Sequence, residues 1–564
     1  MRILFLCHSF NSLSQRLFVE LGARGHEVSV EFDINDAVAL EAVELFEPNI
    51  IVAPFLKRAI PRAIWESRIC LVVHPGPVGD GGPSALDWAI LNAEADWGVT
   101  VLQAQDALDA GPVWAHRRFI MRDAPKSSLY RHEVTEAAVE AVLEAIGKIV
   151  QGGKPAGAEE MGAVPVWRKG MQQKDRAIDW THDDTDTVLR KIASADGVPG
   201  VRDEMFGEAV YLHDAHRAGG LPAGQPGTAI ARSGGAIARA TRDGAVWIGH
   251  VRMAKVKAIK LPATHVFAVE AESLPQADGQ AEIHYEEAGS VGFLNFRFHN
   301  GAMGTEACQL LLEAWRKAAA RPTRLIVLCG GSDHWANGLN LNLIEAAASP
   351  ADESWANINA MDDLAEAVIR TTGKIVVSAV GGNAGAGGVF LARAADEVWL
   401  RKGAILNPHY KDMGNLYGSE FWTYLLPRHA GTENVERIAA ARLPMGAEEA
   451  ASLGLANKIV DTGRGGFDAA VRGMALEFAG RPEIGALIEA KARRRADDEA
   501  AKPLAAYRAE ELDRMRRNFH GFDPSYHIAR HNFVHKVAKS RTPITIARHR
   551  ATTRSMQPER RAAS

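Results

Sequence analysis

Cysteine is scarce in this chain: Cys7, Cys70, Cys308 and Cys329 are four among 564 residues. No two of them form a Cys-x-x-Cys pair, which excludes a disulfide framework and a thiolate zinc site and leaves reduced, mostly buried thiols. Long apolar runs are absent as well. Nowhere do about 18 apolar residues follow one another, and the opening MRILFLC is too short for a signal peptide, so a cytoplasmic protein with no membrane contact is expected. The turn after the first strand-like run, CHSFNSLS, has no Gly-x-Gly-x-x-Gly, and the chain has no Gly-x-x-x-x-Gly-Lys-Ser/Thr, so use of a dinucleotide or nucleoside triphosphate is not supported. Nor is there an excess of positive charge. With 65 Lys and Arg against 69 Asp and Glu, the net charge is -4, which argues against a nucleic-acid partner.

What is present is ample core material, 47% hydrophobic and 24% charged residues, enough for three to five compact units. Residues 1–153 alternate β-branched runs (RILFLC, HEVSVEF, NIIVAPF, ICLVVHPG) with amphipathic stretches, the pattern of an α/β domain with a doubly wound parallel sheet. A Gly-rich linker, QGGKPAGAEEMG, follows. Residues 164–270 contain a short helix, Asp183 to Ala195, and then β-like runs separated by Gly and Asp-Gly turns, which predicts a small β-barrel. Strand and helix alternate again over 281–478. Residues 479–564 read as a helical extension rich in Ala and Arg, and from Lys491 onward 18 basic residues face 8 acidic ones.

Two constellations suggest chemistry. In the first half, Cys70-Leu-Val-Val-His74-Pro-Gly-Pro ends an apolar strand, GDGGPSALDWAI follows, and GVTVLQAQDALDAGPV sets Asp109 in a loop. An imidazole beside a carboxylate suits proton shuttling during acyl transfer, because the carboxylate fixes the tautomer and raises basicity. In the second half, WANGLNLNLIEAA follows the strand RLIVLCGG, and SAVGGNAGAGGVFLARAADEV follows KIVV. Glycines at a strand-to-helix junction let backbone amides approach a ligand oxygen closely. A third feature is a decoy for metal: His527, His531 and His535 at i, i+4, i+8 put the outer pair ~12 Å apart with no HExxH, so hydrogen bonding and packing are expected and no metal.

From Met1 to Ala263 the motifs, including Ile178-Asp-Trp180, resemble the formyltransferases that use N10-formyltetrahydrofolate. The resemblance implies catalytic roles for His74 and Asp109 and a folate pocket at Lys57, Ala59 and Asp106. Two departures stand out. Val72 occupies the place of the family's catalytic Asn, and Gly81-Gly82 replaces Arg-Gly. Removing one oxyanion donor typically costs ~3 kcal/mol, so either another donor substitutes or the acceptor differs from the usual amines.

The second half resembles the crotonase (enoyl-CoA hydratase/isomerase) family, whose ββα spiral uses two amides to hold a CoA thioester oxygen; in register these belong to Asn337 and Gly387. The hydratase carboxylates fall on Phe390 and on or beside Tyr410, which disfavours hydration. The segment Leu406 to Gly431 offers Tyr410 and Glu420 as acid/base candidates, with Tyr417, Trp422 and Tyr424 read as core. The two halves together, with LNPHYK, NLYGSE and FHGFDPSYHIARHNFVHK, resemble the HoxX family of nickel–iron hydrogenase maturation factors. This implies a formyltransferase coupled to a formyl-CoA decarbonylase: formyl passes from N10-formyltetrahydrofolate to coenzyme A, and formyl-CoA then releases CO, an iron ligand of the hydrogenase. The resemblance also points to hydrogenase maturation proteins as partners. Two alternatives stay open: a formyltransferase for another amine with a crotonase scaffold that does no chemistry, or a folate- and CoA-binding assembly factor without activity.

Overall fold

The computed structural model describes residues 1–279 and 281–555; positions 556–564 of the expected extension lie outside the described residues. The chain forms two compact units, Met1–Gln280 with Ala538–Ser564, and Ala281–Val537. Ala281, where the second α/β alternation is expected to begin, opens the second unit. The expected linker at Gly152 to Gly162 falls inside the first unit, and the 478/479 boundary falls inside the second.

In the first unit, strands β1 (Arg2–Cys7), β2 (Glu27–Phe32), β3 (Ile50–Ala53) and β4 (Ile69–His74) pair in parallel in the order β2-β1-β3-β4. Their near-continuous apolar runs suit a sheet covered on both faces. The short strand β5 (Asp80–Gly81) leaves the sheet, and β6 (Asp96–Gln103) and β7 (Val113–Ile120) complete it in antiparallel sense. This departs from the all-parallel expectation. The loop between β6 and β7, residues 104–112, is shorter than the dozen or so residues a parallel crossover needs, so the two strands form a hairpin. Strand β8 (Val166–Trp167) pairs with β5. Beyond it, β9 (Val201–Met205), β10 (Glu208–Arg217), β11 (Ala229–Ser233), β12 (Ala236–Ala240), β13 (Ala245–Met253) and β14 (Lys260–Pro262) make an antiparallel six-stranded sheet. The helix Thr185–Ala195 packs Val188 and Ile192 into its core.

The second unit repeats one supersecondary turn. Strands β15 (Ile283–Ala288) and β16 (Val291–Phe296) open a six-stranded sheet continued by β17 (Leu325–Cys329). Then come β18 (His334–Ala336) and the helix Leu341–Ala346; β19 (Ile375–Val380), β20 (Asn383–Gly385) and the helix Gly387–Arg393; and β21 (Glu397–Arg401), β22 (Leu406–Asn407) and the helix Trp422–Ala430. The first member of each ββα turn extends the large sheet, which ends at β23 (Lys458–Val460), and the second builds a parallel sheet β18-β20-β22. This is the expected spiral, with Trp315, Trp335 and Phe390 fully buried in its core.

The basic extension has two destinations. Helices Ile484–Ala501, Leu504–His520 and Ser525–Val534 belong to the second unit, whereas the chain from Ala538 belongs to the first. There Val30 N–H donates to the Ile546 carbonyl (2.9 Å) and Phe32 N–H to Thr542 Oγ1 (2.8 Å). The edge strand β2 is thereby covered, which removes an open row of backbone groups. Buried Glu31 fixes the contact through His549 Nε2 at 2.9 Å and Arg550 Nε at 2.6 Å. All four cysteines are free. Among the described residues no helix is long and apolar enough to cross a membrane.

Candidate functional site

In the first unit, β4 carries His74 at its end, buried at 4% exposure. Its Nε2 lies 3.0 Å from Asp80 Oδ2 and its Nδ1 lies 3.6 Å from Asp109 Oδ2. The expected pair is thus a triad. Asp80 is the residue that sequence reasoning passed over, although it stands in the quoted GDGG. Arg168 Nε donates to Asp80 Oδ1, and the guanidinium lies over the Trp97 ring at 5.1 Å. Asp109 is held by the Gly82 N–H at 3.1 Å, with a left-handed backbone (φ 52°).

Why glycine stands at position 82 follows from the close approach of the chain at the end of strand β8. A Cβ on Gly82 would come 2.0 Å from the Arg168 carbonyl, and the residue has φ +114°. Only glycine tolerates both. Val72 packs into the apolar cluster around Leu4, Ile51 and Cys70 and brings no hydrogen-bonding group. Lys57 and Ala59 lie exposed in the loop after β3, and Asp106 lies exposed in the loop that also bears Asp109.

In the second unit, the segment after β22 folds back so that Tyr410 and Glu420 meet. Tyr410 Oη donates to Glu420 Oε2 at 2.6 Å. The Tyr410 ring stacks on Phe390 (5.5 Å, 15°), the residue in the register of the first hydratase carboxylate. Glu420 is 1% exposed, and a Cβ added to Gly387 would lie 2.1 Å from its Oε1, so the carboxyl rests directly on the Gly387 backbone. The fold therefore brings together Gly387 and Tyr410, expected from the family register, and Glu420, expected from the carboxylates of its segment.

Asn337 requires a correction. Its backbone N–H donates to the Gly301 carbonyl at 2.7 Å, and its side-chain amide donates to the Asn300 carbonyl at 2.8 Å. An amide already bonded in this way is not presented to a thioester oxygen. The loop beside it does reach the site, because a Cβ on Gly338 would lie 3.4 Å from the Gly387 nitrogen.

Glu420 and Phe421 both adopt left-handed backbone (φ 58° and 60°), a costly pair for residues with side chains. Two buried carboxyls hold the turn. Asp362 accepts from Glu420 N–H (2.8 Å) and Ser419 Oγ (2.8 Å). Glu511 accepts from Phe421 N–H (2.9 Å) and Thr423 N–H (2.8 Å). Burial, and then the neighbouring Asp362 charge, push the Glu420 carboxyl up to about 8; burial raises Asp362 to about 7 and, with the Asp362 charge, Glu511 to about 8. Burial and the Glu420 charge likewise raise the Tyr410 hydroxyl well above its ordinary value. Burial and the neighbouring carboxyls thus favour the protonated form of Glu420, the state a proton donor needs.

Asp362 and Glu511 were not named from sequence, yet both leave a trace in it. Glu511 sits in the stripe Leu504, Met515, Phe519 of a helix whose remaining faces are polar, and Asp362 sits between buried Met361 and Leu364. A carboxylate on an apolar stripe is a reason to suspect function. Of the aromatics read as core, Tyr424 is buried and donates to Asp498 Oδ2 at 2.8 Å, whereas Tyr417 is 37% exposed.

Comparison with known proteins agrees with both units. Residues 292–508 match the enoyl-CoA hydratase/isomerase family and residues 170–265 match the formyl transferase C-terminal domain. The chain is 58% identical to the hydrogenase maturation factor HoxX of Bradyrhizobium diazoefficiens over 98% of this chain and 97% of that one. It is similar to the crystal structure of HypX from Aquifex aeolicus in complex with tetrahydrofolic acid, with TM-score 0.94 and 46% identity, covering 98% of this chain and 99% of that chain. A methionyl-tRNA formyltransferase of Stenotrophomonas maltophilia is 22% identical over 40% of this chain and 75% of its own.

Proposed function

Since the chain belongs to the HoxX/HypX family of hydrogenase maturation factors, we propose that it makes CO in two steps that share coenzyme A. In the first, the CoA thiol attacks the formyl carbon of N10-formyltetrahydrofolate; the C–N bond breaks, the C–S bond forms, and the thiol proton ends on N10. His74 moves that proton through Nδ1, which faces Asp109 at 3.6 Å, while Asp80 orients its ring through Nε2, and the exposed loops bearing Lys57, Ala59 and Asp106 receive the folate. The tetrahydrofolate complex of the Aquifex protein supports folate as the donor.

In the second step formyl-CoA breaks into CO and CoA. The C–S bond cleaves, the formyl carbon loses its proton, and the sulfur gains one, so no oxidant or reductant is needed. The amides of Gly387 and, in place of Asn337, Gly338 polarise the carbonyl oxygen. Glu420 gives a proton to the leaving sulfur and recovers one from the formyl carbon, while Tyr410 holds its carboxyl in place. The observation that bears this reading is the buried Glu420 carboxyl, its proton held by burial, bonded to Tyr410 and resting on Gly387. Pure protein supplied with N10-formyltetrahydrofolate and CoA should transfer CO to reduced haemoglobin, and omission of either substrate should abolish it. CO formation without CoA, or none with both, rejects the scheme.

A further inference from the structure

Glu345, His531 and His535 converge within the second unit, outside the Tyr410–Glu420 site. Their ligand atoms all lie within 4.8 Å of one another. Glu345 comes from the helix Leu341–Ala346, which begins just after the Gly338 loop, and the imidazoles come from the end of the helix Ser525–Val534 and its cap. His531 Nδ1 is 2.7 Å and His535 Nε2 is 3.2 Å from the same oxygen, Glu345 Oε1, and the two rings stand 4.3 Å apart. Donor atoms bound at about 2.1 Å to one ion lie roughly 3.0–3.4 Å from each other, so small side-chain adjustments bring the three donors to the spacing of a ligand set. Arg530 Nε holds the other oxygen, Oε2, at 2.7 Å, which orients the carboxylate and leaves Oε1 to the imidazoles. One side is open: the His531 side chain is 43% exposed, while those of His535 and Glu345 are 13% and 11% exposed.

The third histidine of the run takes no part. His527 Nε2 lies 2.9 Å from the Phe519 carbonyl and its Nδ1 lies 2.7 Å from Arg530 Nη1, a structural role. The i, i+8 objection thus applies to a pair the fold never uses; the set is completed by a carboxylate some 190 residues earlier in the chain.

We propose that Glu345, His531 and His535 bind one divalent late first-row metal ion, of the zinc or nickel type, with water filling the open side. Two imidazoles and a carboxylate suit such ions rather than calcium or magnesium. The ion clasps the helix that follows the Gly338 loop to the carboxyl-terminal helix. That second helix also abuts the Tyr410–Glu420 segment, because a Cβ on Gly414 would lie 2.2 Å from the Ser525 carbonyl. The clasp therefore bears on both sides of the proposed acyl-CoA site.

The test uses the full-length, tag-free chain, stripped with chelator and titrated with Zn²⁺ against a chromophoric competitor. The parent should bind one equivalent that His531→Gln, the double variant His531→Gln/His535→Gln and Glu345→Gln each weaken by at least ~100-fold. Folding of each variant is checked by circular dichroism, and His531→Gln, at the exposed ligand, reads the site even where the others do not fold. In parallel, Co²⁺ bound by the parent should show a ligand-field spectrum that is lost in His531→Gln. Equal Zn²⁺ affinity in the parent and in folded His531→Gln, or no Zn²⁺ bound by the parent at micromolar concentration, overturns the assignment and leaves a hydrogen-bonded His–Glu cluster.

Discussion

The two candidate sites use the same residue type in opposite surroundings. At His74, carboxylates face partners that carry or accept protons: Asp80 lies between the imidazole and Arg168, and Asp109 is held by a backbone N–H. At Glu420, three buried carboxyls share one turn, and the Arg508 guanidinium stands 3.9 Å from Asp362. A carboxylate beside a cation serves as an anion that orients a base. A carboxyl crowded by its own kind in an apolar wall keeps its proton and serves as an acid. If both sites act as proposed, their division of labour lies in the neighbours of the carboxylates rather than in the carboxylates themselves.

The largest effect that would sharpen this comparison is His74→Ala, expected to cut formyl transfer by ~10²–10⁴-fold while supplied formyl-CoA still yields CO at the parent rate. Disappearance measured with formylfolate and CoA checks it, and unchanged consumption removes His74 from the reaction. Glu420→Gln should do the converse. It keeps the size of the side chain and lowers CO release from supplied formyl-CoA by at least ~100-fold, with formyl transfer intact; parent-level release would move the chemistry elsewhere.

Asp80→Asn tests whether the second carboxylate on His74 orients the ring. Loss of a charge-assisted hydrogen bond is worth ~1.5–3 kcal/mol, so transfer should fall by about 10–100-fold in kcat with little change in KM for folate. A change confined to KM would make Asp80 part of the folate pocket instead. The smallest effect is a shift in pH dependence. Glu420, raised to about 8, loses its proton as pH rises through that value, so CO release should decline on the alkaline side. Asp362→Asn removes the neighbouring charge yet keeps both bonds, because the new Oδ1 accepts from Glu420 N–H and the new Nδ2 donates to Ser419 Oγ. The alkaline limb should move down by about one pH unit with little loss at the optimum. A limb that stays in place would assign it to another group.

Much of this was legible before any coordinates. The β-branched runs, the Gly-rich strand-to-helix junctions and the family registers made His74, Asp109, Gly387 and Tyr410 candidates, and Glu420 stood out as a carboxylate in an otherwise apolar segment, because local pattern carries such signals. The antiparallel β6–β7 hairpin was hidden because alternation of strand and helix is silent on strand direction. The cover on β2 was hidden because it joins residues some 510 positions apart. Asp362 and Glu511 come from helices 58 and 90 positions away from the turn they hold, beyond what any spacing rule reaches. The Asn337 register was readable, but the hydrogen bond to Gly301 that occupies its amide was not, since only the packed loop reveals it.

The central claim, that formyl-CoA links two sites with separate proton chemistry, is tested most directly by following the intermediate. Glu420→Gln protein incubated with CoA and tetrahydrofolate bearing a ¹³C-labelled N10-formyl group should accumulate labelled formyl-CoA, visible by mass spectrometry, and then labelled formate as the thioester hydrolyses, with CO at least ~100-fold below the parent. Labelled CO at the parent rate, or consumption of the folate without any labelled thioester, would contradict it.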